Sequence, residues 1–436
     1  VSEVSAEDLE VQRLVTDANT KAAFDPQVAC NVLFASLFNR ETGLWKKISR
    51  RKWIESTFYI LDKKEKLVPL VLNGAQRRIE YWTIVMERAG LPVRISGLKA
   101  RQIGFSTFIQ AVMFETILRG NNRRGLIVAD TKDRSELLLR IANTARTRMP
   151  RDETLKDFWD FKMTSKAKYA MWWAHPINGA IDITSSEVDR PGMGGTRTVV
   201  HLSESAHFDE PEMKYPSILA SLPAEVGTYG YDESTANGDT GLFRDNWMAG
   251  YAERDVPLHE RRFRWVSLFF AWWENERYFY SKTYGGGQQP SAAMIAEIEA
   301  TLDDEEKWLL EQKYWVRGRP GMEWEEVREW PNVKKWRLKG VGWQHVGFDQ
   351  LAWRRAKIAD PEIHNDVNLF NQEYPSRYSV AFLSTGNKVF SPEVLERYAR
   401  KVSDPVWRGT LGPAEATVGG GFTETAYEAQ VDGAAQ

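Results

Sequence analysis

A chain of 436 residues is long enough to bury a large core spread over two or three domains. Its 58 basic and 60 acidic residues leave a net charge of -2, which excludes a generally basic nucleic-acid coat and confines any polyanion contact to local patches. A single cysteine, Cys30, excludes an internal disulfide and fits a reducing compartment, and no apolar run is long enough for a membrane-spanning helix. Val1-Ser-Glu-Val does not read as a signal peptide, and the missing initiator Met suggests processing or excision from a longer chain. The 18 tryptophans are expected to be packing residues rather than ligands.

Residues 1 to about 44 read as polar and helical. The run Trp45-Lys-Lys-Ile-Ser-Arg-Arg-Lys52 is either a solvated basic face or a phosphate or partner contact. In Pro69-Leu-Val-Leu-Asn-Gly-Ala-Gln-Arg-Arg78, Gln76 stands ahead of a candidate phosphate loop. It is placed to offer its amide to an adenine edge, or else is an ordinary helix-surface residue.

That loop is Lys99-Ala-Arg-Gln-Ile-Gly-Phe-Ser-Thr107, between an apolar strand, Val93-Arg-Ile-Ser-Gly-Leu98, and an apolar helix from Phe108 to Leu118. Helix-start amides that lack an intrahelical acceptor attract phosphate. Against the pattern G-x-x-x-x-G-K-[ST], Gly104 takes the second glycine and Ser106 the magnesium-binding hydroxyl, while Phe105 stands where lysine belongs. Lys99, at the first position, is the replacement cation, with Arg101 as a second. Ala100, Gln102, Ile103 and Thr107 complete the loop. A strand, Gly-turn and helix are common enough that a plain turn fits this stretch equally well when it is taken alone.

Further along, Gly125-Leu-Ile-Val-Ala-Asp130 reads as a strand and Lys132 to about Met149 as a helix. From Arg119 to Arg151 there are nine basic and three acidic residues, a patch for DNA phosphates, a neighbouring subunit or solvent. Ala180–Thr184 and Thr198–Leu202 read as strands around a Gly-rich segment carrying Arg190 and Arg197. The second strand ends in Ser203 and Glu204. An ATPase sets the carboxylate that polarises its attacking water at such a sheet edge, and Ser203 replaces the Asp that ordinarily precedes it. His175, His201 and His207 lack the i, i+4 spacing of a zinc-protease helix and are read as no metal site. Asp232-Glu-Ser-Thr-Ala-Asn-Gly238 is a short strand that brings Thr235 and Asn237 to the same edge as γ-phosphate sensors. Phe263 to Trp273 reads as a buried strand and turn, and Ala292 to Val316 as an acidic helical segment.

The ordered set, which is Gln76, the loop from Lys99 to Thr107, Val-His-Leu-Ser-Glu204, Ser-Thr-Ala-Asn-Gly238, Phe370-Asn-Gln-Glu-Tyr-Pro-Ser376 and Ala381-Phe-Leu-Ser-Thr-Gly386, resembles the large terminase subunit of tailed bacteriophages over about residues 68–400. The resemblance implies an α/β fold, an ASCE-type phosphate-loop NTPase with a mostly parallel central sheet flanked by helices and a smaller helical lid or linker subdomain. The expected divisions are an N-terminal segment at 1–60, the ATPase core at 61–250, the lid or linker at 251–408 and a tail at 409–436. It implies an ATP-hydrolysing motor that drives double-stranded viral DNA through the portal into the procapsid. Its implied partners are DNA, portal protein, small terminase subunit and further copies in an assembled ring, with a monomer in isolation and no membrane involved. The implied location is the infected host's cytoplasm. ATP and Mg2+ are the implied ligands. Gln76 matches the adenine motif; the loop binds phosphate; Glu204 is catalytic; Thr235 and Asn237 couple; Ser106 and Ser203 face the metal. Arg190 is favoured over Arg197 as an arginine supplied to a neighbouring subunit. The acidic tail with Gly419-Gly-Gly421 leaves no room for a nuclease domain, so ATPase activity without DNA cleavage is expected. A helicase-type translocase and a non-catalytic DNA- or portal-binding protein with a degenerate nucleotide site stay open as alternatives.

Overall fold

The computed structural model describes residues 49–62, 65–148, 170–173, 177–192, 194–275, 277–316 and 342–382, together with short β segments at 38–39, 44–45, 324–330, 333–338, 409–413 and 427–431. Its centre is a seven-stranded sheet: β3 (Val93–Lys99), β4 (Arg124–Ala129), β5 (Ala170–Trp172), β6 (Ala180–Ser185), β7 (Val199–Ser203), β8 (Tyr229–Ser234) and β9 (Val266–Phe270). A hairpin of β1 (Tyr59–Leu61) and β2 (Leu67–Pro69) precedes it. The order is β9-β3-β8-β7-β4-β6-β5, parallel throughout except for β5 at one edge. One strand, β8, thus separates β3, which leads into the Lys99–Thr107 loop, from the Glu204 strand β7, the strand order expected of an ASCE-type fold.

Both faces of the sheet are covered, so its strands read as nearly unbroken apolar runs. Along β4, Ile127 and Ala129 join the large core that contains α3 (Phe105–Leu118), whereas Leu126 and Val128 face Tyr215 and Ile218 of α5 (Pro211–Ala220). Helix α3 is buried almost all round because α1 (Arg50–Thr57), α2 (Gly74–Arg88) and α4 (Lys132–Arg148) pack around it on the sheet. On the opposite face, α6 (Leu242–Ala252) sets Trp247 against Leu98.

Several expectations change. The basic run does not form a solvated face at Arg50 and Arg51: Arg50 pairs with Glu115 at 3.0 Å and Glu87 at 2.9 Å, and Arg51 with Glu80, which ties α1 to the core. Phe38–Asn39 and Leu44–Trp45 pair as antiparallel strands instead of continuing a helix. Val266–Phe270 is a core strand beside β3, so the sheet extends beyond residue 250. The acidic segment is two helices, α7 (Ala292–Ala300) and α8 (Asp304–Leu310), after which Lys313–Val316 pairs as a strand with Gly342–His345. Helices α9 (Phe348–Ala359) and α10 (Val367–Glu373) come next, with Trp353 stacked on Trp272 at 5.0 Å. By contact the chain divides into residues 1–385 and 386–436; in the second unit Gly409–Pro413 pairs antiparallel with Tyr427–Val431. Among the described residues no helix is long and apolar enough to cross a membrane.

Candidate nucleotide site

Parallel register explains how distant residues meet. Across neighbouring strands Gly97, Glu233, Ser203 and Ala129 lie side by side on β3, β8, β7 and β4, so their side chains leave the same face, the one covered by α3. Gly97 carries no side chain because the Phe105 ring occupies that space; a Cβ there would lie 2.4 Å from the ring. Phe105 is 1% exposed and meets Phe270 edge-on at 5.4 Å. Position 105 is therefore a core position, closed to a charged side chain.

Lys99, the last residue of β3, is a buried cation beside the loop. Its ammonium lies 2.9 Å from Glu204 Oε1 and 3.0 Å from Glu233 Oε2, and all three residues are buried. Burial alone would lower the Lys99 ammonium, but the two carboxylates outweigh it and hold it above its ordinary value. Burial likewise would raise both carboxyls, and Lys99 holds them down, Glu204 at about 2. Glu204 also approaches Arg134 Nη1 at 3.4 Å and accepts from Thr235 N at 3.0 Å. Its backbone is left-handed, at φ 56, which is costly for a glutamate and turns the carboxylate back toward β8.

Glu233 is the residue that no local motif singled out. It is fully buried, and its Oε1 accepts from Ser106 Oγ at 2.6 Å and Ser203 Oγ at 2.9 Å, with His201 Nε2 at 3.3 Å.

Most residues of the loop are held by contacts that brace it. Gly104 adopts φ 82 and no side chain caps α3, which leaves the first amides of that helix to a ligand. Gln76 is 3% exposed, and both ends of its amide are engaged: Nε2 donates to the Gly104 carbonyl at 2.8 Å and Oε1 accepts from Asn73 N at 2.9 Å. With Asn73 Nδ2 on the Ile103 carbonyl at 2.8 Å, it clamps the loop to the start of α2. Ala100 donates its N–H to the Phe270 carbonyl at 3.0 Å. Arg101 pairs with Glu373 of α10, and its N–H reaches the Glu373 carbonyl at 3.0 Å, so the Phe370–Ser376 motif docks on the loop. Gln102 is left-handed at φ 54, and Thr107 lines the adjoining cleft. That cleft, of about 830 Å³, lies between the β1–β2 hairpin, Asn73, Gly104 and Phe270.

Thr235 sits against Glu204, whereas Asn237 is exposed and holds the Ala206 carbonyl at 3.0 Å, bracing the turn after Glu204. Arg197 is buried and paired with Asp182, away from Glu204. Arg190 is exposed and makes no hydrogen bond or ion pair among the described residues. Lys132, Arg140 and Arg148 of α4 are exposed, whereas Arg119 is paired with Glu115 and Arg134 with Asp130. His175, Arg151 and residues 383–386 lie outside the described residues.

Neither a protein-family model nor a curated protein sequence matches this chain. Solved structures of phage large terminases resemble it. The large terminase of bacteriophage HK97 is 13% identical with a TM-score of 0.40, over 59% of this chain and 53% of that one, so the match spans about half the length of that protein. The ATPase domain of the Thermus phage P74-26 large terminase is 16% identical, TM-score 0.34, over 54% and 96%. The large terminase of another thermophilic bacteriophage, in complex with ADP, is 11% identical, TM-score 0.34, over 70% and 81%.

Proposed function

We propose that the chain is the ATP-hydrolysing part of a phage DNA-packaging motor, a terminase large subunit that moves double-stranded DNA through the portal into a procapsid. The observation that carries the ATPase reading is the cluster at the edge of β3, β8 and β7. A lysine from the loop strand bridges two buried carboxylates beside an uncapped helix start. The ordered motifs from Gln76 to Gly386 support the packaging role.

On this reading the α3 amides and Lys99 take the phosphates, and the base enters the cleft beside Gly104. A carboxylate held at about 2 is a weak proton acceptor at neutral pH, so Glu204 orients the attacking water while Thr235 fixes its second oxygen. Movement of the Lys99 ammonium onto the phosphates frees Glu204 and raises its basicity. Two cations, Lys99 and Arg134, face three carboxylates, Glu204, Glu233 and Asp130, and the donor set is all hard oxygen with Ser106; both features fit Mg2+. When bound, that ion supplies charge neutralisation at the phosphate oxygens.

Hydrolysis of ATP, measured with and without linear double-stranded DNA, tests the reading: DNA-stimulated turnover is expected. Nucleotide binding without hydrolysis under either condition would instead indicate a non-catalytic binding protein. Exposed Arg190 is proposed to serve the neighbouring subunit's γ-phosphate. Arg190→Ala and Glu204→Gln chains, each inactive, should recover ATPase when mixed under conditions that assemble the ring, and full activity of Arg190→Ala alone would exclude that role.

A further inference from the structure

We infer that Glu233 is the carboxylate that holds the divalent cation accompanying the nucleotide, standing in from β8 for the acid that position 203 of β7 lacks. The inference rests on the nucleotide-site reading above and assigns the metal-facing role within it.

Ser203 and Glu233 are register partners on adjacent parallel strands, so a side chain from one strand can take over a position served from the other. A serine at 203 brings no charge and too short a reach. The longer Glu233 puts one oxygen between Ser106 Oγ at 2.6 Å and Ser203 Oγ at 2.9 Å, in contact with the hydroxyl that phosphate loops place on magnesium. Its second oxygen lies 3.0 Å from Lys99 Nζ and otherwise has no hydrogen-bond donor. A fully buried carboxylate is costly unless matched by positive charge, and here one ammonium is shared with Glu204. Glu204 shares Lys99 at 2.9 Å, but its oxygens otherwise meet Arg134 and Thr235, and among the described residues it makes no hydrogen bond to Ser106. The two acids therefore divide the work, Glu204 toward water and Glu233 toward the cation.

ADP binding by calorimetry, with EDTA and with Mg2+, tests this directly on the full chain. In the wild type Mg2+ is expected to tighten ADP. In Glu233→Gln that tightening should shrink at least about tenfold while metal-free ADP affinity persists, and adding Ser203→Asp should bring it back. A residue that only balances Lys99 would give no such rescue. Mn2+ bound to the ADP-loaded protein, measured by electron paramagnetic resonance, should show the same loss and recovery. Where Glu233→Gln fails to fold, Glu233→Asp keeps the charge near Lys99 but withdraws from Ser106, and should likewise weaken the Mg2+ effect. An undiminished Mg2+ effect in either variant overturns the assignment of Glu233 and leaves the nucleotide site standing. Absence of any ADP binding by the wild type overturns the nucleotide site itself.

Discussion

Two buried carboxylate clusters in this chain solve the same electrostatic problem in opposite ways. At the junction of α8 and α9, Glu306 is 1% exposed and accepts from Arg355 Nε at 2.8 Å, Arg355 Nη2 at 2.7 Å, Arg354 Nη1 at 3.2 Å and the Asp303 amide, whose side chain it answers in a capping box. Two guanidiniums serve Glu306 there, with Arg354 Nη1 also 3.2 Å from Asp303, so two cations meet two acids and both Glu306 oxygens are satisfied. At the candidate nucleotide site two cations, Lys99 and Arg134, meet three carboxylates, one Glu233 oxygen has no partner but the shared Lys99 ammonium, and the Glu204 backbone is left-handed. A complete cluster stabilises the fold; a cluster short of positive charge and held in a strained turn is arranged for something that arrives.

The contrast can be broken from either end. Removing Glu306 takes from Arg355 its acid and leaves Arg354 only the exposed Asp303, so Glu306→Ala should cost about 3–5 kcal/mol in urea or thermal unfolding. The fraction that stays folded should bind ATP with ordinary affinity, and a stability change within error would mean the cluster is not structural. Glu204→Gln keeps the shape and removes charge from the cluster that has too much of it. Turnover should fall about 100-fold or more, while nucleotide still binds and the melting temperature moves far less than in Glu306→Ala. Ordinary turnover in Glu204→Gln would remove it from the chemistry.

Legibility in the sequence divides along the same line. Elements with strong local signals were legible: the loop and its flanking strand and helix, the Glu204 strand, and the buried strand before Trp272. The resemblance they carry implied a mostly parallel sheet. Side-chain partnerships that depend on register were not legible. Nothing local marks Glu233 as the neighbour of Ser203 and Ser106, because the residues meet only when β8 inserts between β3 and β7. Arg50 sits in a basic run yet is half-buried and paired with Glu115, 65 residues away. Gln76 reads as a nucleotide contact from its place ahead of the loop; it does line the cleft beside Gly104, but its amide is engaged by the Gly104 carbonyl and the Asn73 amide. Phe105 looks like a defect in the phosphate-loop pattern until the bare Gly97 opposite shows what the ring fills.

A third buried acid sharpens the comparison with the smallest expected effect. Asp232, beside Glu233 on β8, has no cation among the described residues; Ser205 Oγ and Tyr215 OH donate to its two oxygens, the latter at 3.0 Å. Burial, only partly offset by those hydroxyls and reinforced by Glu233, pushes its carboxyl up from 3.8 to about 7. A carboxyl whose folded value exceeds its unfolded value binds the proton more tightly when folded. Its contribution therefore favours the folded chain at lower pH and is lost as pH rises toward and through about 7. Glu204, held low, works in the opposite sense, losing its contribution only as pH falls below the ordinary carboxylate range, so a window from about pH 5.5 to about pH 8 isolates Asp232. Asp232→Asn keeps the size and removes the titration. Across that window the wild type should lose on the order of 2 kcal/mol of unfolding free energy that the variant does not, histidines and other groups cancelling between the two chains. Parallel pH profiles would show that Asp232 is ionised in the fold, and the turn that carries Glu204 would then rest on a charged carboxylate solvated by two hydroxyls alone.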